Sequence, residues 1–479
     1  MYQIHFNQPA HIHFIGIGGI SMSGLAEVLL EEHFTISGSD AKESALTKKL
    51  EQSGAVIYYG HSASHIQPGT DAVVYTAAVH EDNPEYQAAI ANGIPLLSRA
   101  ELLGQMMNNY RQSVAVAGTH GKTTTTSMIT HILLAADADP TISVGGILPA
   151  ISGNIRVGHS ACFVTEACEY TNSFLHFYPK YSVILNIEED HMDFFKDIQD
   201  IRRSFRLFAE NTAPNGTLVI NSEIDELQPL LLDLACNTVT YGFDSNSSFY
   251  PEQITYEESG FARFCIMHNT HKLVHAEQGA TAQFVTWKET EKVCDVRLRV
   301  PGRHNISNAL AAAALAVTMG IPAKAIEEGL YAFCGTDRRF QVKGTRNGVT
   351  VVDDYAHHPT EISATLSAAK NYPHSRLICV FQPHTYSRTK AFLDAFAKAL
   401  SDADIVVLAD IYAARETDTL GISSLDLLRL LEKTACECYY FPTFEEIEKF
   451  LLKKVMNGDL LITMGAGDIL KVGEDFLCQ

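Results

Sequence analysis

Positive charge is scarce in this chain, long apolar runs are missing, and its cysteines are never paired as C-x-x-C. The 479 residues hold 36 lysines and arginines against 56 aspartates and glutamates, a formal net charge of −20. A field of that sign repels a polyanionic backbone, so nucleic acid is not an expected partner, while small phosphorylated ligands held by local N–H groups and cations remain open. No apolar run reaches the roughly eighteen residues of a membrane helix, and the opening MYQIHFNQPAHIHF lacks a basic segment followed by an apolar stretch and a small-residue cleavage site. Neither membrane spanning nor export is expected. Ten cysteines scattered from Cys162 to Cys478 read as reduced, mostly buried thiols of a cytoplasmic protein. Cys436 and Cys438 in CECYYF read as two side chains on one face of a strand rather than as metal ligands. Short-period repeats and low-complexity linkers are absent too.

What is present is apolar material for several cores. Hydrophobic residues make up 46% and charged residues 19%, which excludes extensive disorder. At roughly 150 residues per domain, the length accommodates about three. An α/β theme occurs three times. Over residues 1–110, HIHFIGIGG reads as a strand entering a glycine turn, SMSGLAEVLLEEH as a helix with Leu25, Val28 and Leu29 on one face, and FTISGSD, AVIYYG and DAVVYTAAV as further strands. Over 111–336, a strand at Val114–Ala117 feeds a second glycine loop and helix, with later strands at ACFVTEA, YSVILNI and GTLVINS. An antiparallel addition is expected between Glu252 and Val300, and NALAAAALAVTMG reads as a helix apolar on most faces and therefore buried. Over 337–479, GVTVVDDYAHHP, RLICVFQP, DIVVLADIY and DLLITMGAGDI alternate with helical stretches such as AFLDAFAKALSD. The expected fold class is α/β in three domains, with doubly wound parallel sheets whose ligands sit at the carboxyl ends of the strands.

The stretch AVAGTHGKTTTTSM poses the sharpest question. A phosphate loop of the form G-x-x-x-x-G-K-[ST] would place a glycine where Val116 stands, so Gly118, Thr119, His120, Gly121, Lys122 and Thr123 make a contracted version. Its glycines let backbone approach oxygen, successive N–H groups and the following helix N-terminus favour negative charge, and Lys122 adds a cation. Thr123 or Thr124 offers a hydroxyl to Mg²⁺. Strand, loop and apolar helix in that order predict ATP binding. A second loop, Gly16-Ile17-Gly18-Gly19-Ile20-Ser21-Met22-Ser23-Gly24, precedes Asp40, the spacing of a ribose-binding acid. Ser21 occupies the last glycine position of the dinucleotide fingerprint, and spacing alone leaves an NAD-dependent dehydrogenase and a structural turn open. What the loop supports is a diphosphate at a helix N-terminus.

Two acidic stretches, TEACEYTNSF and ILNIEEDHMDFF, are expected to deliver Glu166, Glu169, Glu188, Glu189, Asp190 and His191 from strand ends toward the phosphate loop, as hard oxygen donors and an imidazole for Mg²⁺. In the last domain Asp353, Asp354, Tyr355, His357 and His358 crowd one strand end, and His384 and Arg388 another. HHP lacks the i, i+4 helix spacing of a zinc pair, so recognition of a small zwitterion and its reacting phosphate is expected instead.

Together GTHGKTTT, the EA and DHMD segments, PGRHNISNALAA, RRFQ, DDYAHHPTEI, FQPHTYSRT and the terminal GAGDI resemble the bacterial Mur ligases, from Phe14 to Ile469 and most closely their alanine-adding branch. The resemblance implies a Rossmann-like first domain that holds UDP, a central ATPase domain of P-loop type, and a C-terminal Rossmann-like domain for the amino acid. It implies transfer of the γ-phosphoryl of ATP to the lactyl carboxylate of UDP-N-acetylmuramate, attack of L-alanine on the acyl phosphate, and a place in peptidoglycan precursor synthesis, as a monomer or homodimer. By the same resemblance Lys122 and Thr123 serve the phosphates and Mg²⁺, Glu166 bridges Mg²⁺, and His191 lies near a second ion. His304, Asn305 and Asn308 fall near the adenine and Asp354 near its ribose. Arg338 or Arg339 fits an interdomain joint, and Tyr355, His357, His384 and Arg388 fit the alanine and acyl-phosphate pocket. Gly16, Gly18, Gly19, Ser21, Met22 and Ser23 would grip the sugar-nucleotide diphosphate, with Asp40, His61 and Thr76 at the uridine or ribose.

The chain also departs from the family pattern. EACEYTNSF stands where many relatives have a second acid-rich ESD, which leaves the outer metal shell around Glu169 and Asn172 unassigned. Phe205, next to the arginines 203 and 206, stands where other Mur ligases carry a carbamylated lysine, which sets the chain with the alanine-adding branch. Thr385 replaces an arginine of some alanine-adding relatives. The rival inside the family is a ligase that attaches a ready-made tripeptide, and GIGGISMSGLA speaks against it.

Overall fold

The computed structural model describes residues 2–76, 78–257, 260–278, 281–414 and 416–478, giving for 271–278 and 281–288 the strand pairing alone. These pack as two compact units. The first takes the chain as far as Ile187, with Arg202–Thr240 and Ala314–Pro322; the second takes Glu188–Ile201, Tyr241–Ala313 and the chain from Ala323.

In the first unit, β1 (His11–Ile15), β2 (Thr35–Asp40), β3 (Val56–Tyr59), β4 (Ala72–Tyr75) and β5 (Leu96–Ser98) form a parallel sheet in the order β3-β2-β1-β4-β5. Ile12, Phe14, Val73 and Val74 are fully buried, as near-continuous apolar strands covered on both faces require. The strand order reverses between β1 and β4, so their carboxyl ends open a ligand crevice. A second sheet holds β6 (Gln112–Ala117), β7 (Thr141–Leu148), β8 (Gly153–Arg156), β9 (Cys162–Ala167), β10 (Tyr181–Ile184), β11 (Thr217–Asn221) and β12 (Asn237–Tyr241), ordered β8-β7-β9-β6-β10-β11-β12. Its central strand, β6, pairs in parallel with β9 and β10.

In the second unit, β13 (Phe249–Tyr256), β14 (Phe261–Gln278) and β15 (Thr281–Pro301) run antiparallel, the expected addition. Then β16 (Gln341–Arg346), β17 (Val349–Asp354), β18 (Leu377–Phe381), β19 (Ile405–Leu408), β20 (Glu437–Tyr440) and β21 (Leu460–Met464) form a sheet ordered β16-β17-β21-β18-β19-β20, parallel but for β16. Successive residues go to opposite faces: Val352, Cys379, Phe381, Val406 and Leu408 join one core, Val351, Ile378, Val380, Ile405 and Val407 the other. Cys436 and Cys438 both pack against the first of these, as the alternation in CECYYF predicts. The alanine-rich helix Arg303–Thr318 is buried along Ala309–Ala316, none of them more than 3% exposed.

Two expectations need correction. β9 stops at Ala167, so Glu169 follows the strand rather than riding on it. β10 stops at Ile184, and Glu188, Glu189, Asp190 and His191 lie beyond it in irregular backbone that belongs to the second unit. The reason is local: the Leu185 N–H makes the last rung to Ala117, and His191 adopts a left-handed φ of 54° that no strand accommodates. AFLDAFAKALSD does carry the expected helix, Leu393–Leu400. Tyr386–Ala391 and Leu393–Leu400 break at Phe392 (φ −113°), whose ring packs edge-on against His358 at 4.9 Å.

Candidate active site

Val116 explains the contraction of the phosphate loop. It lies within β6, fully buried, so the strand runs through the position where a longer loop has glycine. The chain then turns at Gly118 and Gly121. Gly121 caps the helix Lys122–Ala135 at φ +84°, a left-handed position where a side chain would be strained. Asn186, just past β10, clasps the turn: its Oδ1 accepts the His120 N–H at 2.8 Å and its Nδ2 donates to the His120 carbonyl at 3.0 Å. Lys122 Nζ donates to the carbonyls of Gly118 (2.5 Å) and Thr119 (3.2 Å) and to Glu169 Oε2 (2.8 Å). Burial opposes the ammonium charge, but the Glu169 carboxylate outweighs burial and raises the lysine pKa. Residue 116 stands opposite Glu166 in the β6–β9 register, which sets that carboxylate beside the loop. Thr123 Oγ1 donates to Glu166 Oε2 at 3.1 Å, and the Gly145 N–H reaches the other oxygen. A hydroxyl and a carboxylate so placed are a pair of hard donors suited to Mg²⁺.

The first glycine loop occupies the β1–β4 crevice. Gly18 donates its N–H to Asp40 Oδ2 at 2.8 Å, and a Cβ at Gly18 would come equally close to that oxygen, so a larger residue would push the Asp40 carboxylate aside. Gly19 caps the helix Ile20–Glu31, which has neither a side-chain cap nor an acid in its first turn, so no carboxylate of its own neutralises the N-terminal dipole. Ser21 Oγ accepts from Arg99 Nη1 at 3.1 Å. Arg99 starts the helix Arg99–Met107 and brings the cation that this loop lacks. Thr76, at the end of β4, faces Gly16, where an added Cβ would meet its methyl at 3.3 Å. Met22 and Ser23 are buried, and Ser23 spends its hydroxyl on the Ile20 carbonyl and its N–H on the Gly19 carbonyl (2.9 Å), so its part is to hold the turn. His61 follows β3, its Nδ1 3.1 Å from Ser39 Oγ.

The second unit gathers six of the expected residues around one cavity of about 560 Å³: Asp190, His191, Tyr355, His357, His384 and Arg388. Arg388 reaches Asp190 Oδ1 through Nη2 (2.8 Å) and Nε (3.2 Å), and its Nη1 lies 3.1 Å from His384 Nδ1. Arginine only donates, so His384 accepts at Nδ1. Burial opposes the Asp190 charge, but Arg388 and His191 outweigh it and hold the carboxyl well below the usual range. His357 Nδ1 sits 3.0 Å from the Tyr355 carbonyl, which can only accept, so Nδ1 carries the proton and Nε2 is left as the acceptor. Burial lowers the pKa of this ring. Glu416, which no motif marked, lines the same cavity and accepts the Ser387 N–H at 2.9 Å.

Arg338, ahead of β16 in the chain, packs against the end of β17, its Nε 2.9 Å from Asp353 and its guanidinium 4.9 Å from the centre of the Tyr355 ring; Arg339 lies 5.4 Å from the same ring. Both Asp354 oxygens are engaged, by the N–H groups of Phe340 (2.9 Å) and Ala356 (2.8 Å), and burial pushes its carboxyl up to about 6. His304 is pushed down to about 4 by burial, then by Arg339. Asn305 Nδ2 donates to the Pro301 carbonyl at 2.7 Å, and Asn308 Nδ2 to Asn305 Oδ1 at 3.2 Å, so the two amides form one chain at the start of the alanine-rich helix.

Three family models match along the chain: the Mur ligase family catalytic domain over residues 11–111, the Mur ligase middle domain over 116–316, and the Mur ligase glutamate ligase domain over 338–467. The chain is 61% identical over 477 residues to a UDP-N-acetylmuramate–L-alanine ligase of Agathobacter rectalis, the match covering 100% of each. Among solved structures it is similar to the UDP-N-acetylmuramate-alanine ligase of Thermotoga maritima (29% identity, TM-score 0.74, 98% of each chain). It is also similar to a murein peptide ligase of Psychrobacter arcticus (25% identity, TM-score 0.66, 98% of each chain). With three family domains in sequence and a full-length relative at that identity, the chain belongs to the Mur ligase family.

Proposed function

We propose that this chain joins L-alanine to the lactyl carboxylate of UDP-N-acetylmuramate, driven by ATP, in the synthesis of peptidoglycan precursors. The observation that carries the reading is that the chain holds both a lysine-bearing phosphate loop, in the first unit, and a cavity that assembles Tyr355, His357, His384 and Arg388, in the second. The domains run 1–110 for UDP, 111–336 for ATP and 337–479 for the amino acid, a division supported by the three family ranges.

A carboxylate has no leaving group, so the reaction proceeds in two steps. A lactyl oxygen attacks the γ-phosphorus of ATP, the bond to the β-bridging oxygen breaks, and ADP leaves. The alanine nitrogen then attacks the acyl phosphate, and the tetrahedral intermediate expels inorganic phosphate. Lys122 neutralises charge on the transferring phosphoryl. Thr123 and Glu166 are the residues that would hold Mg²⁺ in the first unit and His191 a second ion in the other; bound there, the metal screens the negative charges that oppose carboxylate attack. Asp190 holds Arg388 in one orientation for the alanine carboxylate or the acyl phosphate. His357 Nε2 takes a proton from the alanine ammonium, and its burial favours the neutral ring that this needs. His304, Asn305, Asn308 and Asp354 hold the adenosine.

Phosphate release with ATP, Mg²⁺ and UDP-N-acetylmuramate, scanned across amino acids, tests the proposal: L-alanine should give the fastest turnover. Labelled oxygen in the lactyl carboxylate should appear in the released phosphate, and its absence overturns the acyl phosphate. The tripeptide-adding alternative is tested in the same assay with L-alanyl-γ-D-glutamyl-diaminopimelate as acceptor.

A further inference from the structure

Under the β1–β4 crevice lies a carboxylate that no step above uses. Glu85, second residue of the helix Pro84–Ala91, is completely buried, yet five donors converge on it. Its Oε2 meets Ser39 Oγ at 2.6 Å and His13 Nε2 at 3.1 Å; its Oε1 meets His65 Nδ1 at 2.9 Å, the Ser62 N–H at 3.1 Å and His61 Nδ1 at 3.3 Å. Burial opposes the charge, but the hydrogen bonds from His13, Ser39 and His65 and the charge interaction with His13 outweigh it and hold the carboxyl at about 2. An ionised carboxylate only accepts, so every imidazole nitrogen facing it carries a proton.

The bookkeeping closes at His61. Ser39 has one hydroxyl proton, spent on Glu85, so toward His61 Nδ1 at 3.1 Å its oxygen can only accept. Both neighbours of Nδ1 are therefore acceptors, Nδ1 carries the proton, and Nε2 of the neutral ring presents a lone pair. The ring is about a third exposed, at the carboxyl end of the sheet, and Nε2 has no partner among the described residues.

Resting on the reading that this crevice holds UDP, we propose that Glu85 and Ser39 are positioning residues that fix His61 as a hydrogen-bond acceptor and thereby select a ligand offering a neutral donor there. In a uridine nucleotide that donor is the imide N–H of uracil or a ribose hydroxyl. Cytosine carries a lone pair where uracil has its imide N–H, so the ring would face lone pair against lone pair.

Calorimetric dissociation constants of the full-length protein for UDP, CDP and 2′-deoxy-UDP, in wild type, His61→Ala, Glu85→Gln and the double variant, test this. The wild type should prefer UDP over one of the two analogues by about tenfold or more, the worth of an unmatched buried polar contact. Loss of preference against CDP assigns the donor to uracil, against 2′-deoxy-UDP to ribose. Glu85→Gln should lose the same preference as His61→Ala, with no further loss in the double variant, while the KM for ATP stays put. Retained preference in Glu85→Gln, or losses that multiply in the double variant, overturns the proposal. If Glu85→Gln does not fold, Ser39→Ala carries the test: a weakened preference supports it and an unchanged one overturns it. A wild type that binds no UDP sinks the reading of the crevice itself, a distinct result.

Discussion

Two glycine loops in the first unit solve one backbone problem and differ in their charges. Each leaves a buried parallel strand and enters a helix at a glycine N-cap, Gly19 in one and Gly121 in the other. The phosphate loop carries its cation in sequence, Lys122, locked onto loop carbonyls and the Glu169 carboxylate. The first loop has no lysine; it donates an N–H to Asp40 and draws on Arg99. The difference follows from what each must do. A phosphoryl in transfer develops charge that a preorganised cation stabilises, whereas a diphosphate that only anchors a substrate needs backbone donors and modest neutralisation.

The comparison breaks most visibly at Lys122. Lys122→Ala should cut turnover by about a thousandfold or more, as loss of a transition-state cation does. It also takes the Lys122 ammonium away from the buried Glu169 carboxylate, costing about 3 kcal/mol or more of stability. Lys122→Ala with Glu169→Gln should recover thermal stability and leave turnover absent; recovery of both would show that Lys122 is structural. Next in size, Glu166→Gln should lower kcat about a hundredfold and raise the Mg²⁺ concentration for half-maximal rate, without moving the KM for UDP-N-acetylmuramate. A Mg²⁺ titration that does not shift would remove Glu166 from the metal.

What the sequence disclosed and what it hid follow from contact range. β1, β6, β17 and β21 were legible because apolar, β-branched runs that end in acid or run into glycine are local signals. β7 was hidden by Gly145 and Gly146 within TISVGGIL, β8 by the polar GNIR, and β5 by its three residues. The loop glycines, Lys122 and the histidines near Tyr355 were legible because their chemistry is written in consecutive residues. Arg99, Asn186 and Glu85 were not: their partners lie 78 residues away at Ser21, 66 at His120 and 72 at His13. Folding alone brings such pairs together. The acids after β10 were read as strand-borne because the apolar run before them is real, but only the backbone reveals where it leaves the sheet.

On the first-loop side the comparison sharpens with pH. The Glu85 carboxyl falls from its ordinary 4.5 to about 2 on folding, so its ionised form stabilises the native state above about pH 4.5, and that contribution is lost as pH falls through about 2. The shift corresponds to about 3 kcal/mol. In urea denaturation the stability gap between wild type and Glu85→Gln should be full at pH 7 and close toward pH 2; a gap independent of pH would place its origin in packing.

Arg99 gives the smallest effect and the finest discrimination between the loops. Its guanidinium touches Ser21 but carries no transferring group, so Arg99→Ala should raise the KM for UDP-N-acetylmuramate about five- to tenfold, with kcat and the KM for ATP within about twofold of wild type. Arg99→Lys, which keeps the charge and loses the planar fork, should fall between them. The KM for the sugar nucleotide should also lose part of its dependence on ionic strength, since one screened attraction is gone. If instead the KM for ATP rose in step, the borrowed cation would be serving both nucleotides, and the division of labour between an anchoring loop and a reacting loop would fail.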